Sequence, residues 1–438
     1  MNDWVETTIG DVAAVFDGPH ATPAKVSEGP VFLGISCLSG GRLDLTATDH
    51  LSETDFKRWT RRVEPTAGDV VFSFETRLGE AALIPRGLRC CLGRRMALIR
   101  PDRGKIDSRF LLYYYLSPEF QELIRSRTVA GSTVDRILLE EFPTFPIRVP
   151  DLATQREVAS LLGALDDKVE LNSRMNQTLE SVARAIFRSW FVDFDPVVAK
   201  AASRQPFGMS ADVAALFPRE FHESGEGGRP LGWVENPIEM HVGAIYDGPH
   251  ATPPPAESGP VFLGIRNMTG SRIDLGEVRH ISEDQWARWT RRVTPEAGDI
   301  VFTYEASVGA FAVIPRGTRC CLGRRLALVR PARDRYYPYF LLHTFVSEPF
   351  QELLASRLNQ GSTVERIPLT DFPQYPILWP GDELVQRFEQ AAEPLWRSIH
   401  VQTEQSRTLA ALRDTLLPKL MSGELRVRDA ERLVGTHV

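Results

Sequence analysis

The side chains of this 438-residue chain best suited to chemistry are its arginines, since only 6 of its 51 basic residues are lysines. From Arg86 to Arg109 eight basic residues stand against two acids, and from Arg316 to Arg335 seven stand against one. Each cluster is a local surplus of six positive charges in a chain whose net charge is −6. A planar guanidinium donates two parallel hydrogen bonds to a phosphate, or to O6 and N7 of guanine, where one such pair is worth about 1–3 kcal/mol of base discrimination. The segments LGRR place Arg94-Arg95 and Arg324-Arg325 in a Gly-containing turn ahead of a strand. Arg61-Arg62 and Arg291-Arg292 follow Trp59 and Trp289. Ser132-Thr133 and Ser362-Thr363 carry hydroxyls that can donate to phosphate oxygens, which positions a strand without specifying its sequence. A solvated loop face in an arginine-biased chain is the plainer alternative for each cluster.

Catalytic signatures are missing. The chain contains no G-x-x-x-x-G-K-[ST] loop, no G-x-G-x-x-G after a strand, no G-x-S-x-G and no H-E-x-x-H. Asp193 and Asp195 in WFVDFDPV have no counterpart in the rest of the chain and read as turn or capping residues. The paired histidines His20/His250 and His50/His280 lack an acid or Cys at ligand spacing, so turn or surface roles are expected. The five cysteines, Cys37, Cys90-Cys91 and Cys320-Cys321, lack C-x-x-C spacing and read as buried reduced thiols on strands.

These residues are positioned by a duplication. FDGPHATPAKVSEGPVFLGI from Phe16 returns as YDGPHATPPPAESGPVFLGI from Tyr246, and residues 16–150 match 246–380 at 74 of 135 positions without a gap. A period of 230 is too long for a solenoid repeat, so each copy needs its own core. GDVVFSFE from Gly68 and GDIVFTYE from Gly298 predict strands. FLLYYYLSPEFQELI from Phe110 and FLLHTFVSEPFQELL from Phe340 predict one amphipathic helix each. After each copy comes a heptad seam: Leu165, Asn172, Leu179 and Ile186 beside Val169 and Asn176, then Leu395, Gln402, Leu409 and Leu416 beside Ile399 and Ser406. Two matched seams predict helices packed on each other, with the polar positions fixing register. Lys200 to Pro230 reads as a Gly-, Ser- and Pro-rich linker.

The expected fold class is α+β: two similar α/β domains separated by two long helices forming an antiparallel coiled coil, with pseudo-twofold symmetry. The expected bounds are domain one at 1–150, first helix 151–195, linker 196–229, domain two at 230–380, second helix 381–425 and a tail at 426–438. At 43% hydrophobic and 25% charged, with no run of about 20 apolar residues and no signal peptide, a soluble cytoplasmic protein is expected.

The whole chain resembles the specificity subunit of type I restriction-modification enzymes. The resemblance is carried by TLESVARAIFRSWFVDFDPVVAK from Thr178, ALFPREF from Ala215, LGW at Leu231, GSTV followed by F-P-x-x-P-I in both copies, and LLPKLMSGELRV from Leu416. It implies two target-recognition domains, each reading one half of a bipartite DNA sequence. It implies helices that set the unread gap and dock DNA methyltransferase (modification) subunits, two of them, alongside restriction subunits. S-adenosylmethionine, ATP and magnesium are then handled by the partners, and this chain holds no cofactor and no metal. A protein scaffold without DNA readout is the competing class. Recognition domains of this family commonly differ widely, whereas these two are alike, which implies a near-palindromic target. Glu75-Thr76-Arg77-Leu78 against Glu305-Ala306-Ser307-Val308 is the divergence that would carry unequal base choice, with Arg77 its candidate contact.

Overall fold

In the computed structural model, the described residues are 4–19, 21–46, 48–129, 134–222, 228–334, 336–358 and 364–435. They divide into two compact units, Met1–Leu171 with Gln405–Val438, and Asn172–Glu404.

Unit 1 is built on a four-stranded antiparallel sheet in the spatial order Ala13–Asp17, Met96–Pro101, Val70–Ser73, Ala81–Leu83. Both faces are covered. Val70, Phe72, Ala97 and Ile99 enter the core under the helices, while Val71, Ala82, Met96 and Leu98 enter a second core. The side-chain period of two on a strand sends alternate residues to opposite cores, which is why these runs read as continuously apolar. A smaller sheet, Asp49–His50, Val26–Leu33 and Cys90–Leu92, closes the second core, with the last two strands parallel. The adjacent thiols split across it, Cys90 joining Leu33 and Val71, and Cys91 joining Phe32, Leu51 and Phe56. All five cysteines are buried and unbridged, as expected, although Cys37 lies in a helical turn at Ile35–Cys37 and not on a strand.

Unit 2 repeats this plan, its sheet running Val242–Asp247, Leu326–Pro331, Ile300–Thr303, Phe311–Val313. Its smaller sheet is Arg279–His280, Ala256–Leu263 and Cys320–Leu322.

The single helix expected from Phe110 is two, Ser108–Leu116 and Pro118–Arg127. Pro118 has no amide hydrogen to continue the first, and the Ser117 hydroxyl accepts from Phe120 N, starting the second. The counterpart breaks likewise into Pro338–Phe345 and Glu348–Arg357.

Two 40-residue helices follow the copies, α1 (Leu152–Phe191) and α2 (Asp382–Met421). Each gives one half to each unit. In unit 2 they run antiparallel: Asn172 Nδ2 donates to the Gln402 carbonyl (3.4 Å), Asn176 Nδ2 to Thr403 Oγ1 (3.2 Å), and the Phe187 and Phe388 rings stand 5.4 Å apart. In unit 1, Leu162 and Leu165 of α1 share a core with Leu409, Leu416 and Leu420 of α2, and Arg413 Nη1 meets Asp166 Oδ1 at 2.7 Å. Of the seam residues, Leu165, Asn172, Ile399, Leu409 and Leu416 are buried, while Val169, Leu179, Ile186, Leu395 and Gln402 are half-buried.

Two stretches carry more structure than their composition suggests. The stretch read as a linker contains helices Asp195–Ala201 and Ala211–Leu216, and Val197 and Phe217 sit in the unit 2 core beside Phe191 and Trp233. The stretch read as a tail contains the helix Val427–Gly435, with Ala430 in the unit 1 core. In the first, apolar anchors outweigh polar composition, because burying one large side chain contributes about 1.5–3 kcal/mol; in the second, the partly buried Val427 and Val434 pack against the core beside Ala430.

Candidate nucleic-acid interface

Five segments distant in sequence are tied together in unit 1. Gly18 N donates to the Met96 carbonyl (3.0 Å), and Arg62 Nη1 to Asp17 Oδ1 (2.6 Å). Phe74 N donates to the Arg95 carbonyl (3.2 Å), Thr76 N to that of Asp135 (3.2 Å), and Ile137 N to that of Phe74 (2.9 Å). The Asp17–Gly18 turn, Trp59–Val63, the loop after Val70–Ser73, the LGRR turn and Asp135–Ile137 thus form one surface. Glycine is required where the first turn crosses the LGRR turn: a Cβ on Gly18 would lie 2.6 Å from the Gly93 carbonyl oxygen.

Unit 2 assembles the same segments. Gly248 N donates to the Leu326 carbonyl (2.8 Å), Tyr304 N to that of Arg325 (3.3 Å) and Ala306 N to that of Glu365 (3.0 Å). Arg292 pairs with Asp247 and also donates to the Gly248 carbonyl (3.2 Å), fastening the turn. A cleft of roughly 300 Å³ opens here, lined by Asp247, Pro249, His250, Ala251, Arg288, Trp289, Arg291, Arg292, Val293 and Leu322. The chain stretch that sequence reading singled out for its Trp-Arg pair therefore lies across the cleft from the DGPHA turn.

The arginines fall into two groups. Many of the clustered ones are held by acids that lie far off in sequence. Arg89 takes Glu53 with both nitrogens (2.8 and 2.9 Å), Arg100 takes Asp69 (3.0 and 2.7 Å), and Arg109 Nη1 takes Asp167 (3.0 Å). Arg319–Glu283 and Arg330–Asp299 repeat the first two pairs. The surplus counted along the sequence is thereby largely neutralised in space. Arg95 and Arg325 stand 3.7 and 3.4 Å from Glu75 and Glu305, half-buried. Arg77 donates to the Ile35 carbonyl (3.1 Å) and Glu80 (3.0 Å). Among the described residues Arg61, Arg94, Arg291 and Arg324 are exposed and make no ion pair. Ser132, Thr133, Ser362 and Thr363 lie outside the described residues, as does His20.

The divergent loop carries backbone strain in both copies, since Thr76 and Ala306 both have φ of 72°. A left-handed conformation at a non-glycine residue costs on the order of 1–2 kcal/mol and concentrates where a loop tip must be aimed.

Sequence reading missed one pair: His250 Nε2 meets Asp247 Oδ2 at 3.0 Å, an acid three residues upstream that does lie within reach. His50 and His280 bind the Gly29 and Gly259 carbonyls through Nδ1 (2.8 and 2.7 Å), fastening the bulged strands. Asp193 pairs with Arg188 (3.0 Å) just past α1, and Asp195 opens the next helix, as turn residues. Among the described residues no group of three His, Cys, Asp or Glu could hold a metal ion. No described helix is long and apolar enough to cross a membrane.

Residues 1–181 match the model of a family described as the type I restriction modification DNA specificity domain. The chain is similar to the type I restriction enzyme HindI specificity subunit of Haemophilus influenzae, at 23% identity over 76% of this chain and 80% of that protein. It is similar to the type I restriction enzyme MjaIX specificity subunit of Methanocaldococcus jannaschii, at 22% identity over 87% and 82%. Among solved structures it is similar to the type I restriction-modification system S subunit from M. genitalium, with a TM-score of 0.58 and 13% identity over 95% and 96% of the two chains. At that identity the last likeness speaks to fold alone. The resemblance read from SWFVDFDPV and KLMSGELRV is borne out, as is the fold of two mixed domains with two long helices.

Proposed function

We propose, for a chain whose residues 1–181 match the model of the type I restriction modification DNA specificity domain, that it is the non-catalytic DNA-reading subunit of a type I restriction-modification complex. Each unit reads one half of a bipartite target in double-stranded DNA. The long helices set the unread gap and dock two methyltransferase subunits, and restriction subunits complete the assembly. S-adenosylmethionine, ATP and magnesium are used by those partners in the cytoplasm. The expected bounds of the recognition domains, spacer helices and connections stand as part of this proposal.

One observation supports it above the others: the same five segments converge in both units and present exposed arginines at equivalent positions, Arg61 with Arg291 and Arg94 with Arg324. In this reading Arg94 and Arg324 reach base edges in a groove, and the hydroxyls of Ser132, Thr133, Ser362 and Thr363 contact phosphates. Like domains read like half-sites, so the target is a near-palindrome interrupted by a gap. The test is duplex binding by the chain with its modification subunits across a salt series, since neutralising phosphates makes affinity fall steeply with salt. A scaffold would show no salt-dependent duplex binding. Arg77→Ala should alter preference at the first half-site or nothing, and leave the second untouched. A symmetrical loss of binding refutes that assignment.

A further inference from the structure

The reading surface contains two kinds of element, and they differ in how the two copies treat them. All ten residues lining the cleft of unit 2 recur unchanged 230 positions earlier, from Asp17 and Pro19 to Arg62, Val63 and Leu92, whereas the copies as a whole agree at 74 of 135 positions. The neighbouring loop, held in the same strained conformation, keeps Glu75/Glu305 and changes the next three residues. Resting on the DNA-reading function above, we propose that the cleft is an anchor for a single DNA backbone phosphodiester in each half-site, indifferent to sequence, and that any difference in base choice between the two half-sites lies in the loop beside it.

The chemistry of the cleft fits an anion. Three guanidiniums, Arg288, Arg291 and Arg292, face one carboxylate, Asp247, which Arg292 and His250 already occupy. Among the described residues Arg288 and Arg291 are exposed and make no ion pair, so two of the three cations are uncommitted. Trp289 is buried beside them and its Nε1 has no acceptor; Trp59 Nε1 in unit 1 is likewise without one. Phosphodiester oxygens are acceptors only, and a guanidinium is the side chain that matches them with two donors. Arg292 plays a different part. It clamps Asp247 and the Gly248 carbonyl, so it positions the turn that forms one wall of the cleft.

The separation of anchor from reader has distinct signatures in binding. The full chain with its modification subunits is titrated against a duplex carrying the target returned by methylation mapping and against one of unrelated sequence. Arg291→Ala should weaken both by a similar factor, roughly tenfold, and lower the dependence of log affinity on log salt by about one. Methylphosphonate substitution along the half-site read by unit 2 should find one position whose neutralisation weakens the wild type and leaves Arg291→Ala indifferent. Weakening confined to the target duplex, an unchanged salt slope, or no methylphosphonate position coupled to Arg291 would each overturn the anchor. A wild-type complex that binds neither duplex would refute the DNA-reading function itself, and the anchor with it; wild-type binding matched by Arg291→Ala would refute the anchor alone.

Discussion

The carboxylate of Asp166 holds four pieces of unit 1 together, and its removal tests how the long helices are built into that unit. It lies on α1 and accepts from Tyr113 Oη (2.6 Å) on the helix Ser108–Leu116 and from Arg413 Nη1 (2.7 Å) on α2, with Arg42 Nη2 of the Leu38–Leu43 hairpin 3.5 Å away. The Asp166, Arg413 and Arg42 side chains are 16, 23 and 33% exposed, so the pairs are only partly screened. A charge-assisted hydrogen bond in such a setting contributes about 1.5 kcal/mol after discounting for solvent, and the tyrosine bond about 1 kcal/mol. Asp166→Ala should therefore cost about 3 kcal/mol, and Asp166→Asn about half that, because the amide oxygen still accepts. Native-state hydrogen exchange reads this locally: amides of 158–171 and 405–420 should exchange roughly a hundredfold faster, with those of the sheet in unit 2 unchanged. The double variant with Arg413→Ala should cost less than the sum of the singles by about 1 kcal/mol. Acceleration under threefold, equal acceleration in both units, or strict additivity would refute the reasoning.

Burial pushes the Glu389 carboxyl up to about 7 while it accepts from Tyr339 N (3.2 Å) and Phe340 N (2.9 Å). The folded chain then holds this proton more tightly than the unfolded one, so the contribution is full below the ordinary carboxyl range and lost as pH rises toward 7. His343 and His400, driven by burial to about 3 and about 4, act in the opposite sense, destabilising as pH falls below the ordinary imidazole range. Glu389→Gln isolates the carboxyl: its stability relative to wild type should rise between pH 5 and pH 8 in thermal melts, and a flat difference would count against the assignment. Thr76→Gly and Ala306→Gly, at positions with φ of 72°, should each stabilise by up to about 1 kcal/mol, a denaturant-midpoint gain that a loss would contradict. Burial pushes the Cys90, Cys91, Cys320 and Cys321 thiols up to about 12, so alkylation of native protein at pH 8 should be no faster than unfolding; rapid labelling would show that they are reachable.

What the sequence made legible follows from what is local or repeated. The duplication, the long helices and the buried thiols all show in composition, spacing and identity at a fixed offset. The break at Ser117-Pro118 was equally local, but the apolar run around it, Phe110 to Tyr115, has no polar face to limit because all six side chains are buried. The charge balance of the arginine clusters was not legible, because Arg100 finds Asp69 thirty-one residues away and Arg89 finds Glu53 at thirty-six. Nor was the exchange of helix halves between units, since a heptad seam records that a helix is packed and not on which body each half rests. The DGPHA turn and the Trp-Arg stretch were both visible as repeats; that they are the two walls of one cleft depends on tertiary pairing of Asp247 with Arg292.

The central claim, two like reading heads on one chain, is tested most directly by sequencing methylated adenines or cytosines in DNA from cells expressing this chain with its modification subunit. The account requires one discontinuous motif whose halves are near-identical in inverted orientation about a constant number of unspecified bases. A continuous motif, or two halves with nothing in common, would contradict it.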